Sequence, residues 1–174
     1  MRFRLALLFA GLFAAGVAAG AAFEKALIHH LMPAIRFGLG VGEKMASGGA
    51  SDFLMFLLVF AKNLSVAALC ICLAKPTRGI VPAWVCLANG LVVGTLGALL
   101  AARGVPPWQY AVLLAPHGVV ELPALFLACA LGLTLGGGVL VRLRRGIPIV
   151  AGMFAAAAAL EVWVSPLVGR LLGC

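Results

Sequence analysis

Acidic side chains are nearly missing from this chain: five Asp and Glu stand against 13 Lys and Arg in 174 residues, and charged residues of both signs make up only 10%. An ordinary soluble domain carries about 25% charged residues, so a water-soluble fold is excluded. Apolar residues fill the space, at 64% of the sequence, with 22 glycines spread among them. The chain therefore reads as an all-α integral membrane protein with five transmembrane helices. Its net charge of +8 does not indicate nucleic acid. The cations punctuate apolar runs instead of covering a solvated face, and nothing resembles a nucleic-acid recognition module. Cysteine is also uninformative as chemistry. Cys70, Cys72, Cys86, Cys129 and Cys174 have no metal-ligand spacing, and four of them lie inside apolar runs, where a thiol acts as a small hydrophobe.

The spans follow from the apolar runs and their flanking cations. The first, residues 5–23, begins after Arg2 and Arg4 and ends in Ala18-Ala19-Gly20-Ala21-Ala22, which is compatible with signal cleavage. Its length favours a retained helix over a signal peptide, and Gly16-x-x-x-Gly20 gives it a close-packing face. Residues 24–50 mix Lys25, His29, His30, Arg36, Glu43 and Lys44 with apolar residues at four-residue spacing, as an amphipathic interfacial segment does. His29 and His30 are adjacent and point to different faces of a helix, so a shared metal is not expected. The glycines before Lys44 lack the spacing and the Ser or Thr of a phosphate-binding loop.

Spans at 53–74 and 80–102 form a hairpin about the basic turn Lys75-Pro76-Thr77-Arg78, and the second of them carries Gly90-x-x-x-Gly94. After Pro106-Pro107-Trp108 an apolar run continues to Val141. As one helix that run would measure about 55 Å against a hydrocarbon core of about 30 Å, so it must break. The expected break is Pro116-His117-Gly118, which gives a short interfacial or re-entrant helix over 106–117 and a fourth span over 119–141 with Gly132-x-x-x-Gly136. A fifth span follows at 147–168. Seven cations (Arg2, Arg4, Lys75, Arg78, Arg142, Arg144, Arg145) fall on one side and five (Lys25, Arg36, Lys44, Arg103, Arg170) on the other. This bias places the N-terminus in the cytoplasm and the C-terminus outside, with almost no cytoplasmic mass and so no built-in nucleotide-driven motor.

A few polar residues lie inside the spans, where each needs a partner, water or a task. Lys62 is near the midplane of the second span and Glu161 deep in the fifth, so an ion pair between them is one solution. The alternative is a polar cavity lined by Lys62, Asn63, Asn89, Glu121 and Glu161, serving a small polar or ionic solute. His117 and Glu121 are four apart and share a helix face, where they can bind a metal or relay a proton. Two ligands are too few for a metal, and a third would have to come from Glu161. The plainer reading makes Glu121 a first-turn complement to the dipole of the fourth span. A nucleophilic protease is not supported, because Ser51, Ser65 and Ser165 lie in no nucleophile motif and His117 has no evident serine partner.

The segment Pro116-His117-Gly118-Val119-Val120-Glu121-Leu122-Pro123-Ala124 resembles the signature of the stage II sporulation protein M family. Asn63-Leu64, Asn89-Gly90 with Gly94, and Ala158-Ala159-Leu160-Glu161 followed by Ser165-Pro166 match it in order and spacing. Lys62 departs from the pattern, since members often carry an uncharged polar residue there. The resemblance implies a polytopic, non-enzymatic scaffold that recruits peptidoglycan-remodelling hydrolases, in spore formers during engulfment, with no catalytic residues and no cofactor. The glycine faces add the expectation of a homo-oligomer. A transporter or channel, or the membrane subunit of one, is the competing class, and a metal-dependent membrane hydrolase is the third.

Overall fold

A computed structural model describes residues 2–31 and 51–171, and every regular element among them is helical. The helices are α1 (Arg2–Ala22), α2 (Asp52–Leu73), α3 (Ile80–Ala102), α4 (Pro107–Thr134) and α5 (Val139–Ala159). A π-helical turn, Leu160–Val164, carries α5 into α6 (Ser165–Leu171). Five rods, with α5 to α6 counted as one, are long and apolar enough to cross a membrane. Large apolar side chains such as Phe3, Leu7, Phe53, Leu58, Trp84 and Leu140 point outward, which only a lipid surround favours. After α1 the chain stays helical over 24–31 with His29 and His30 exposed; the rest of the expected amphipathic segment lies outside the described residues.

The expected break at Pro116-His117-Gly118 does not occur. Helix α4 runs through Pro116 and Pro123 for 28 residues, about 42 Å at 1.5 Å per residue, and starts at Pro107, where a missing N–H costs nothing. The short helix over 106–117 is therefore the first part of α4. The apolar run breaks instead at residues 135–138, where Gly137 takes φ 91° between two further glycines. A proline inside a helix removes one hydrogen bond, which neighbouring groups in a membrane bundle can compensate, whereas consecutive glycines lose backbone entropy in a helix and supply a left-handed turn. As a result Arg142, Arg144 and Arg145 stand within α5, not in a loop after the fourth span.

Arg142 is buried, although its neighbours Arg144 and Arg145 are exposed. Its guanidinium donates to Gly132 O at 3.3 Å and Cys72 O at 3.2 Å. Those carbonyls belong to the last turns of α4 and α2, which have no intrahelical donors and carry the negative ends of two helix dipoles. One side chain thus caps two helices at once, a role that a reading of it as a topology signal misses.

Glycine sets the packing on the other side. Helix α1 packs chiefly on α3, while α2 and α3, though joined by the tight turn, touch sparingly. An added Cβ at Gly16 or Gly20 would strike Leu87 O or Leu91 O, and one at Gly90 or Gly94 would strike Phe13 O or Val17 O. The two glycine motifs therefore face each other at backbone contact, and Thr95 Oγ1 donates across to Gly20 O at 3.2 Å. Gly132 lies in the same way against Cys70 O and Ile71 Cα of α2. These glycines are thus occupied within the chain, and an oligomer cannot rest on them. Helix α4 lies at the centre, touching α1, α2, α3 and α5, and its Ala124, Ala128 and Cys129 are fully buried. Cys86 and Cys129 meet with sulfurs 3.7 Å apart, both enclosed in this core.

Candidate functional site in the polar layer

The polar residues of the spans gather at one level. At 1.5 Å per residue, Lys62 and His117 lie about 15 Å from the starts of α2 and α4, and Glu161 about 15 Å from the end of α6. Lys62, Asn63, Asn89 and Glu121 line one cleft together with Val66, Leu125 and Phe154. Its volume of about 20 Å³ has room for about one water molecule. On the other side of Glu121, one ring nitrogen of His117 and one oxygen each of Glu121 and Glu161 lie within 4.8 Å of one another.

The π-helical turn brings Glu161 into this group. Pro166 has no N–H, and its ring crowds the carbonyl four residues back, so the helix widens just before it. The Ser165 N–H reaches Leu160 O, five residues back. Trp163 stacks on Phe56 of α2 with ring centroids 5.7 Å apart, which fixes the rotation of the turn and leaves Glu161 facing α4.

Ser165 joins the site as well. Its Oγ donates its proton to Leu160 O, which can only accept, at 3.3 Å, and it lies 3.3 Å from His117 Nδ1. With the single hydroxyl proton used, His117 Nδ1 must carry a proton and donate it to Oγ, so that in the neutral ring the lone pair sits on Nε2. The expectation that His117 lacks a serine partner is thus corrected, but the pairing orients the imidazole and does not activate the serine. Sequence alone had no means of bringing residues 48 positions apart together. In Ser165→Ala the ring loses its acceptor, and the expected result is a mixture of the two neutral tautomers in place of one, read from the His117 ring-nitrogen chemical shifts.

Two other expectations change. No ion pair joins Lys62 to Glu161 among the described residues; Lys62 is exposed, and it acts on Glu121 at longer range. Glu161 faces α4 instead. Glu121 also stands well inside α4, not in its first turn, so a dipole-capping role does not apply. Asn89 directs its amide to its own helix, donating to Val85 O at 2.8 Å. Asn63 is 4% exposed, and its Nδ2 has no hydrogen bond of proper geometry among the described residues, although Glu121 is close enough to interact with it. That leaves a buried donor directed at the cleft.

Fold and site together define a multi-pass, all-helical membrane protein with a polar layer inside its bundle. The chain belongs to the stage II sporulation protein M family, whose description matches residues 5–166. Comparison with curated proteins and with solved structures gives no match.

Proposed function

We propose that this protein is a non-enzymatic scaffold of the cell membrane that anchors peptidoglycan-remodelling partners, the role that the family suggests for spore formers during engulfment. The supporting observation is how little of the described chain stands outside the helices. The connections at 74–79, 103–106 and 135–138 are tight and offer a non-membrane partner little to grip, which turns attention to the sequence that joins α1 to α2. With the N-terminus in the cytoplasm, as the cation bias favours, that segment faces the cell wall. Its basic and histidine residues suit an acidic or polymer-bound partner surface. Deleting residues 32–50 should abolish co-purification of a cell-wall hydrolase after cross-linking while the helical content and membrane insertion persist. Retention of the partner by the deleted form would refute this role.

A transporter or channel is the second reading, favoured by the convergence of Lys62, Asn63, Asn89 and Glu121 on one cleft. Its size argues against solute passage, since it has room for about one water. Purified protein in liposomes should move no small solute. Flux that is lost in Glu121→Gln would favour transport over scaffolding.

A further inference from the structure

We infer that His117, Glu121 and Glu161 form a binding site for one divalent transition cation of the zinc type, which ties α4 to the π-helical turn. This goes beyond the scaffold reading and does not depend on it. Charge is the first argument. Two carboxylates approach within 4.8 Å of each other inside the bundle, and among the described residues neither forms an ion pair with a Lys or Arg, Lys62 acting on Glu121 only at longer range. Leaving them as bare anions in a membrane interior is costly, and one divalent cation neutralises both.

The donors suit such an ion. One imidazole nitrogen and two carboxylate oxygens are a zinc-type set, and three protein ligands leave a fourth position for water. Zinc ligands about 2.0–2.2 Å from the metal lie roughly 3.5 Å from one another, so the present triangle would contract by about an ångström through side-chain rotation. Water has a place beside it, because Glu121 also lines the cleft.

The surroundings are those of a supported metal site. Ligating histidines donate their other N–H to an oriented acceptor, and ligating carboxylates accept second hydrogen bonds. His117 Nδ1 is held by Ser165, which is held in turn by Leu160 O, so Nε2 is the nitrogen left to coordinate. Asn63 supplies the independent observation: the residue is 4% exposed, its Nδ2 makes no hydrogen bond of proper geometry among the described residues, and it shares the cleft with Glu121, close enough to interact with it. A donor so placed is complementary to the carboxylate of a metal-bound Glu121.

The test uses full-length protein purified in detergent without a histidine tag and carrying His29→Ala and His30→Ala, which removes an exposed adventitious pair. After incubation with zinc sulfate and gel filtration, about one zinc per chain is expected, with a raised thermal midpoint reversed by chelator. Glu121→Gln, Glu161→Gln and His117→Ala should each lose the zinc, and Asn63→Leu should weaken binding about tenfold or more. Substitution by cobalt(II) should give the visible bands of a low-coordinate nitrogen and oxygen site. Folded protein that retains no zinc would overturn the inference, as would zinc retained unchanged in the three ligand variants. Should a ligand variant fail to elute as folded protein, zinc stoichiometry and the cobalt spectrum of the parent protein decide the matter alone.

Discussion

Arg142→Ala is expected to lower the stability of the folded protein by about 3 kcal/mol or more. Hydrogen bonds to a charged group contribute about 1.5–3 kcal/mol each, and Arg142 makes two of them inside the protein. Its removal leaves the terminal carbonyls of α2 and α4 without donors and opens a cavity where the side chain was. Arg142→Lys should recover only part of the loss, because an ammonium is a point charge and cannot span two carbonyls as a planar fork does. Arg144→Ala and Arg145→Ala, which remove exposed cations, should change stability by less than about 0.5 kcal/mol. Unfolding by SDS from mixed micelles, followed by far-ultraviolet circular dichroism, checks all four. Equal effects at the three arginines would show that the double cap does not hold the helix ends.

Gly94→Leu should be comparably damaging for a different reason. The new Cβ meets the backbone of Val17, which cannot rotate away, so α1 and α3 must separate and the Thr95 to Gly20 hydrogen bond is lost with their contact. Overpacking of this kind costs about 1–3 kcal/mol even where side chains can adjust, and here the obstacle is main chain. The expected loss is about 3 kcal/mol, or failure to accumulate as folded protein. Gly11→Ala and Gly152→Ala are the matched controls, since nothing lies within 4 Å of a Cβ at either position. They should leave stability within about 1 kcal/mol and can raise it through helix propensity. The same SDS titration separates the two classes. A disulfide introduced between α1 and α3 should form in the parent and fail in Gly94→Leu, which distinguishes helix separation from general destabilisation.

Much of the architecture was legible in the sequence because it rests on local signals. Apolar runs of membrane length, the turn about Lys75-Pro76-Thr77-Arg78 and the Pro-His-Gly to Glu-Leu-Pro signature each declare themselves within one short stretch of contiguous sequence. The glycine motifs announced close packing but not with whom, since the pattern is the same whether the partner is another helix of the chain or a second copy. The break in the long apolar run falls at its glycines and not at its proline. Pro116-His117-Gly118 is the louder local signal beside Gly136-Gly137-Gly138, yet in a bundle a helix survives a proline more readily than a run of glycines.

That one displacement moved Glu121 from helix interior to helix start and Arg142 from a buried cap to a loop. The site was legible as a set of residues and not as a geometry. Glu161 was named as the third possible ligand beside His117 and Glu121, but the π-helical turn that aims it and the Ser165 contact that orients the imidazole depend on the packing of two helices.

The contact between α1 and α3 also sets a timetable for biogenesis. Thr95 and Gly20 are 75 residues apart, so at about 5–20 residues per second the ribosome needs some 4–15 s to supply the surface that α1 packs against. Through that interval the first helix waits in the bilayer with its glycine face uncovered, while α2 enters beside it without becoming its main neighbour. Translation pauses within α2, or slow release of α1 from the insertion machinery, therefore act on the step at which this protein acquires its tertiary structure.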